Sequence, residues 1–293
     1  MPKLIIITGP TGSGKTALAI AVASQLKAHI INCDSRQIYA ELGVAVAKPS
    51  LQELSEVPHY FVGTHSIYDT PVSAGEFARL VLNKINSLAN SEFVVLCGGT
   101  GFYITALLSG FDIRNTEKQG QIRTQVDEIY NVGGIAAIIK ELQNNGTDID
   151  ESMAQNPARL KRALEIAFQG HIKEDIIPFP YPFKIFSTQV PRPQLYDQIN
   201  KRVDDMVKQG LVSEAKALHG SLPEGIKTVG YTELFEHFEG HYTQEFAIEK
   251  VKQHSRNYAK RQMTYIRHQF PEAVFVSPNE GKDVIFAAVK TWE

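Results

Sequence analysis

The feature that most constrains this chain is a glycine-rich loop between an apolar strand and a helix. Residues 9–16 read Gly-Pro-Thr-Gly-Ser-Gly-Lys-Thr and match the P-loop pattern G-x-x-x-x-G-K-S/T at every fixed position. The apolar run Leu4–Thr8 predicts a buried strand before the loop, and the Ala- and Leu-rich segment Thr16–Leu26 predicts a helix after it. Glycines let consecutive backbone N–H groups turn around a phosphate, and the helix N-terminus favours its negative charge.

The loop is therefore predicted to bind a diphosphate or a polyphosphate. The residues assigned to this site are Gly9, Pro10, Thr11, Gly12, Ser13, Gly14, Lys15 and Thr16. Lys15 adds a mobile positive charge, and the Thr16 hydroxyl is a candidate ligand for Mg²⁺, the expected cofactor.

Two further apolar segments predict strands of the same sheet. Ile30–Cys33 ends at Asp34, and Phe93–Cys97 ends in the glycine-rich turn 98–101. Strands that are apolar along their whole length and alternate with helices are typical of parallel sheets covered on both faces. We expect an α/β fold, a P-loop NTPase-like parallel sheet with helices on both faces, whose ligands lie at the carboxyl ends of the strands.

A polar stretch between residues 112 and 155 interrupts this pattern. It carries eight acidic and four basic residues, with helical patterns at 121–130 and 135–143 and no convincing strand. Asn156-Pro157 then supplies an N-cap and a first-turn proline for a helix over 157–169. We predict a catalytic core of residues 1–111 and 156–293 and a helical insertion domain of residues 112–155. Later core elements are predicted as a strand at 183–189 and helices near 192–218, 228–239 and 244–269.

Composition excludes several classes of protein. Among 293 residues, 30 are basic and 32 acidic, so no global field draws the chain onto nucleic acid or membrane. Two cysteines exclude a disulfide scaffold. The first apolar run is too short for a signal peptide, and no run approaches the ~18 apolar residues of a spanning helix. We expect a cytoplasmic protein without a membrane partner.

Asp34 is the candidate acidic residue of the site. It follows the second strand, whose tip lies near the phosphate loop in a parallel sheet, whereas the strand Phe93–Cys97 ends without a carboxylate. A carboxylate at Asp34 can take a proton from a nucleophile or join a Mg²⁺ shell. Asp-Ser before a helical turn is equally typical of an N-cap, and the residues alone leave both interpretations open.

Basic residues cluster on the predicted helix 244–269, which carries six basic and two acidic side chains. Tyr258 and Tyr265 are interleaved with them, and a base can stack on either. Such a stripe favours a large polyanionic partner, although a solvated helix face is the common alternative. Tyr231 follows the flexible Gly230 and is either a ligand contact or a packed aromatic.

Together these segments resemble the tRNA dimethylallyltransferase family, also called tRNA isopentenyltransferase. The matching motifs are the loop 9–16, Asp-Ser-Arg-Gln-Ile-Tyr at 34–39, Ala-Lys-Pro at 47–49, Val-Pro-His at 57–59, Gly-Gly-Thr-Gly-Phe-Tyr at 98–103, Asn-Pro-Ala-Arg-Leu-Lys-Arg-Ala-Leu-Glu at 156–165, Arg192 with Leu195-Tyr196 and Arg202, Val-Gly-Tyr at 229–231, and Ser-Arg-Asn-Tyr-Ala-Lys-Arg-Gln-Met-Thr-Tyr-Ile-Arg at 255–267. They run in family order over nearly the whole chain.

The resemblance implies transfer of a dimethylallyl group from dimethylallyl diphosphate to the exocyclic amine, N6, of the adenosine 3′-adjacent to the anticodon in tRNA, with release of pyrophosphate. Asp34 then resembles the general base, while Lys15, Thr16 with Mg²⁺, and Arg202 resemble the groups that stabilise the leaving diphosphate. The residues that resemble contacts to the tRNA anticodon stem-loop are Asp34, Ser35, Arg36, Gln37, Thr100, Arg123, Arg159, Arg162, Tyr231, Lys260, Arg261, Gln262 and Arg267. A monomer is expected.

Several positions depart from the family pattern, namely Ala45, Val46, Tyr60, Thr232 and Tyr265. None of them is a catalytic position. Three alternatives remain at this point: prenylation of a free adenine nucleotide, a P-loop small-molecule kinase, and an RNA-binding module with an inactive loop.

Overall fold

A single parallel sheet organises the longer of two compact units of the chain. The computed structural model describes residues 1–109, 116–169, 179–223 and 227–292. One unit, the core unit, comprises Met1–Ser109 and Phe179–Glu293, and the other, the inserted unit, comprises Gly110–Pro178. Each unit has a hydrophobic core of its own.

The sheet contains six parallel strands in the order β3-β2-β4-β1-β5-β6. Their bounds are β1 Lys3–Thr8, β2 His29–Asn32, β3 His59–Tyr60, β4 Phe93–Cys97, β5 Phe183–Thr188 and β6 Val274–Val276. The central strand β1 pairs with β4 on one side, with Ile5 opposite Val95, and with β5 on the other, with Leu4 opposite Phe183. This placement brings the end of β1, and the loop that follows it, between the ends of β4 and β5.

Helices cover both faces of the sheet. The helices of the core unit are α1 Lys15–Leu26, α2 Leu51–Glu56, α3 Ala74–Ser87, α4 Gly101–Leu108, α8 Arg192–Lys208, α9 Leu211–Leu218, α10 Tyr231–Phe238, α11 Gln244–Gln269 and α12 Gly281–Lys290. Alternate residues of β1 enter two separate apolar layers: Leu4 and Ile6 join one, Ile5 and Ile7 the other. The predicted α/β class with a parallel sheet covered on both faces is therefore confirmed.

Within its described residues, 116–169, the inserted unit consists of three helices: α5 Thr116–Asn144, α6 Glu151–Ala154 and α7 Pro157–Gln169. Gly134 has non-helical backbone angles inside α5, which matches the two separate helical patterns of the sequence. The Asn156 side chain accepts hydrogen bonds from the backbone N–H groups of Ala158 and Arg159, so the predicted N-cap of α7 is confirmed.

The second boundary of the inserted unit differs from the predicted one at residue 155. Helix α7 packs against α5, because Leu160 and Leu164 share a buried cluster with Val126 and Leu142 of α5. The unit therefore contains α7, which is predicted as part of the core. The first predicted boundary, between residues 111 and 112, lies outside the described residues.

The core unit departs from prediction in two respects. The helix predicted over 192–218 is two helices, α8 and α9, separated at Gly210 with φ 99°. The short strands β3 and β6 and the helices α2 and α12 lie where no element is predicted. None of the helices in the described ranges combines the length and apolarity needed to cross a bilayer.

Candidate active site

The phosphate loop joins β1 to α1, and a side-chain contact with β5 holds it in place. Gly12 and Gly14 have φ values of 78° and 79°, in the left-handed region that favours glycine. The Ser13 hydroxyl is buried, donates to the Pro10 carbonyl at 2.7 Å and lies 2.5 Å from the Thr188 hydroxyl. Ser13 therefore contributes only its backbone to a ligand, because its side chain is used to hold the loop on the sheet.

A cavity of about 410 Å³ opens beside this loop. Its lining includes Thr11, Lys15, Thr16, Asp34 and Arg202. The structure thus brings the four predicted catalytic residues together at the carboxyl end of the sheet. Burial lowers the pKa of the Lys15 ammonium, and the charge of Arg202 lowers it further, whereas Asp34 acts in the opposite direction. Two cations and one carboxylate line the cavity, an arrangement suited to a polyanionic ligand.

Asp34 serves as a cap and also faces the cavity. Its Oδ1 accepts hydrogen bonds from the backbone N–H groups of Arg36 at 2.9 Å and Gln37 at 3.3 Å. No hydrogen bond between described residues uses Oδ2. The two interpretations left open by the sequence are therefore compatible, because one oxygen fixes the carboxylate while the other remains available to a substrate.

A small polar network lies beside Asp34. The Thr100 hydroxyl accepts from the Ser35 N–H at 3.0 Å and interacts with the Tyr258 hydroxyl. Burial raises the pKa of Tyr258 to about 12, so this phenol is neutral and can donate a hydrogen bond near pH 7. Tyr258 and Ser35 line the cavity, whereas Thr100 supports them.

Eight apolar side chains also line the cavity and are called its apolar wall, namely Ala45, Val46, Ile199, Val203, Met206, Leu211, Val229 and Val251. Two polar side chains hold the segment 44–47 of this wall. Gln37 donates through Nε2 to the carbonyls of Val46 and Ala47, and the Glu214 carboxylate accepts from the N–H groups of Val44 and Ala45.

Sequence reasoning missed two residues near this wall. Glu214 lies on the amphipathic helix α9, where a lone acidic residue carries no functional signal. Thr228 lines the cavity, and its buried hydroxyl is one of three side-chain atoms in the described ranges that are buried without a hydrogen-bond partner. A buried hydroxyl of this kind is costly unless a ligand or water satisfies it.

Tyr231 does not face a ligand. Its ring is fully buried in the core, and its hydroxyl donates to Glu214 at 2.7 Å. Burial and the neighbouring carboxylate raise its pKa. This burial corrects the expectation that Tyr231 contacts tRNA, because Tyr231 is a packed aromatic residue. Its neighbour Gly230 lines the cavity, whereas Tyr231 does not.

We predict that Tyr231→Phe lowers the free energy of unfolding by about 2 kcal/mol, because Glu214 loses a hydrogen bond in a buried setting. Urea denaturation measures this loss, and the exposed Tyr68, substituted as Tyr68→Phe, is the matched control with no expected change. RNA affinity should be the same in both variants. Weaker RNA binding by Tyr231→Phe at unchanged stability would contradict the packing role.

Helix α11 presents a basic, exposed face. An open groove of about 490 Å³ runs along it, lined by Asn257, Lys260, Arg261, Thr264, Tyr265 and His268. Lys260, Arg261 and Arg267 are exposed. Lys252 is engaged by Asp204 at 2.8 Å and Glu249 at 2.9 Å, so it belongs less to this face. The available basic surface is the C-terminal half of the predicted stripe.

Tyr258 and Tyr265 differ in their surroundings. Tyr258 lines the cavity, with the Arg261 guanidinium 5.8 Å from its ring centre. The Tyr265 hydroxyl donates to Thr105 at 3.0 Å, and a Cβ placed on Gly101 would lie 2.5 Å from its ring. Tyr258 is thus the better stacking candidate, because Tyr265 packs tightly against α4.

Gln262 and the arginines of the inserted unit have protein partners. Gln262 is buried, and its amide bridges Thr11 and Gly99. In the inserted unit, Glu165 holds Arg162 at 2.7 Å and Arg123 at 3.5 Å. Both arginine side chains remain about half exposed, and Arg159 is exposed on α7.

Comparison with known proteins identifies relatives of the whole chain. A family model described as IPP transferase matches residues 37–269. The tRNA dimethylallyltransferase of Flavobacterium psychrophilum is 35% identical over 282 residues, which cover 91% of each chain. That of Chlorobium chlorochromatii is 37% identical over 280 residues and 90% of each chain.

A solved structure agrees with these sequence relatives. The full-length tRNA isopentenylpyrophosphate transferase from Bacillus halodurans superposes with a TM-score of 0.73 at 29% identity, covering 99% of this chain and 96% of its own. The resemblance noted in the sequence is thereby confirmed. With a family model over most of its length and relatives above one-third identity, this chain belongs to the tRNA dimethylallyltransferase (IPP transferase) family.

Proposed function

We propose that this protein transfers the dimethylallyl group of dimethylallyl diphosphate to N6 of the adenosine 3′-adjacent to the anticodon in tRNA. The carrying observation is one cavity lined by the phosphate loop, by two cations, by apolar side chains and by a fixed carboxylate. The loop and the cations suit the diphosphate of the donor, and the apolar side chains suit its branched allyl chain. The family relationship supports tRNA as the acceptor.

At the allylic carbon the reaction forms one bond and breaks one. The lone pair on N6 attacks the allylic carbon, the bond from that carbon to the diphosphate oxygen breaks, and pyrophosphate leaves with the electron pair. The loop N–H groups, Lys15 and Arg202 stabilise the negative charge that builds on the leaving oxygens. Asp34 accepts the proton that N6 loses, and its backbone hydrogen bonds keep the carboxylate in place for this step.

The residues present fit a Mg²⁺ ion. Thr16 offers a hydroxyl oxygen and Asp34 a carboxylate oxygen in the same cavity, and hard oxygen ligands are those that Mg²⁺ prefers. When bound, the ion would neutralise part of the diphosphate charge. We propose Thr16 as its ligand.

The acceptor adenine must leave its stack to reach a cavity of this depth, as in other enzymes that modify bases. Tyr258 and Ser35, beside Asp34, provide a ring face and hydroxyl groups for it, and Thr100 supports both. Lys260, Arg261 and Arg267 on α11, and Arg123, Arg159 and Arg162 on the inserted unit, are proposed phosphate contacts, for which salt-dependent binding is expected. We propose a monomer as the active form.

One assay tests the proposal. Purified protein, Mg²⁺ and dimethylallyl diphosphate labelled in its allyl group are incubated with unmodified tRNA that has adenosine beside the anticodon, and in parallel with AMP. Label in tRNA alone, lost when EDTA is added, is the expected result. Label in AMP would assign the protein to free nucleotides, and no label in either would reject prenyl transfer.

A further inference from the structure

Gln262 connects the proposed tRNA-binding helix to two loops of the active site. It lies in α11 and is 7% exposed. Its Oε1 accepts a hydrogen bond from the Thr11 N–H in the phosphate loop at 2.8 Å, and its Nε2 donates to the Gly99 carbonyl, in the turn after β4, at 2.9 Å. Both ends of the amide are thus used by the protein.

The turn after β4 is shaped around this side chain. A Cβ placed on Gly99 would lie 2.3 Å from Gln262 Nε2, a distance that real Cβ atoms do not show. Any side chain at residue 99 would therefore displace the amide. The amide of Gln262 can approach residue 99 this closely because glycine has no side chain.

The same face of α11 continues toward the proposed RNA surface. Tyr258, four residues before Gln262, lines the cavity, and Tyr265, three residues after it, lines the groove on the outer surface. Residues three and four apart lie on one face of a helix. Thus a single face of α11 reaches the cavity, the groove and, through Gln262, the diphosphate loop.

We propose that Gln262 is a positioning residue that holds the phosphate loop in its diphosphate-binding form, and that it does not contact tRNA. This inference rests on the proposed function. The loop N–H groups must converge on the diphosphate, and Thr11 is the loop position fixed from α11. Loss of the amide leaves the partly buried Thr11 N–H and the buried Gly99 carbonyl without their partner, so the loop and the turn relax away from this geometry.

The test separates diphosphate affinity from tRNA affinity. Gln262→Met keeps the length of the side chain and removes its amide. Titration calorimetry with Mg²⁺ and pyrophosphate, without tRNA, should show binding at least about tenfold weaker than in the wild type, the equivalent of one unsatisfied buried group. Filter binding of unmodified tRNA, without pyrophosphate, should stay within twofold. In turnover, KM for dimethylallyl diphosphate should rise while KM for tRNA does not.

Lys260→Ala, on the same helix, is the matched control and should give the opposite pattern: weaker tRNA binding and unchanged pyrophosphate binding. Gly99→Ala repeats the test from the other side of the contact, because its methyl group displaces the Gln262 amide; it replaces Gln262→Met if that variant does not fold. Unchanged pyrophosphate affinity in a folded variant, or a loss confined to tRNA, would overturn the inference. Wild-type protein that binds pyrophosphate yet transfers no allyl group would instead reject the proposed function alone.

Discussion

Asp34→Asn lowers prenyl transfer by about 10²–10⁴-fold, the usual contribution of a general base. Asparagine keeps an oxygen for the Arg36 and Gln37 N–H groups, so the turn after β2 is preserved while the proton acceptor is lost. Single-turnover transfer to unmodified tRNA at saturating dimethylallyl diphosphate measures this effect on chemistry.

Binding provides the control for this variant. The affinity of tRNA should change less than threefold, because the basic face of α11 is untouched. Asp34→Ala removes the cap as well, so it should also lower the melting temperature, whereas Asp34→Asn should not. A transfer rate for Asp34→Asn within tenfold of the wild type would show that Asp34 is a cap and not the base.

Lys15→Met lowers kcat/KM for dimethylallyl diphosphate by about 10²–10³-fold, comparable with the loss of one preorganised group at a developing negative charge. Methionine fills the same space without the ammonium. Pyrophosphate binding should weaken with it, while tRNA binding without diphosphate should be unchanged. An equal loss of affinity for pyrophosphate and for tRNA would show that Lys15 maintains the fold of the loop and does not act on the diphosphate.

The pH dependence carries a second signature of Lys15. Because burial and Arg202 lower its pKa below the ordinary value of 10.5, the ammonium loses its proton earlier than an exposed lysine would. The wild-type kcat/KM should therefore fall as pH rises, at a pH below 10.5. Lys15→Arg, which stays charged, should shift this alkaline limb upward. A limb of the same position in both proteins would assign the titration to another group.

Most of the elements that the sequence predicts rest on patterns of residues that are close together in the chain. The strand β1, the phosphate loop and α1 are contiguous, so the pattern, its glycines and its context all lie within about two dozen residues. Helix α11 occupies the predicted range 244–269 because its N-cap Thr243 and its apolar spacing are local as well.

Tertiary partners explain what the sequence could not predict. The hydroxyl of the buried Tyr231 donates a hydrogen bond to Glu214, which lies 17 residues earlier in the chain. Gln262 is 251 residues from Thr11, and no periodicity links the two. The break at Gly210 separates two helices whose apolar faces look continuous in sequence. The sequence shows that the helix 244–269 carries an excess of basic residues. It does not show that Lys252 forms an ion pair with Asp204 on another helix.

The pairing of β1 with β5 has a consequence for synthesis of the chain. Leu4 pairs with Phe183, so nearly 180 residues must be translated before the second edge of β1 finds its partner. Until then β1, with its four consecutive apolar residues, has an open edge, a known template for unwanted association. In the sequence, the inserted unit falls between β1 and β5. Its helices contact residues that are close in sequence, so the unit can form while the nascent sheet is still incomplete.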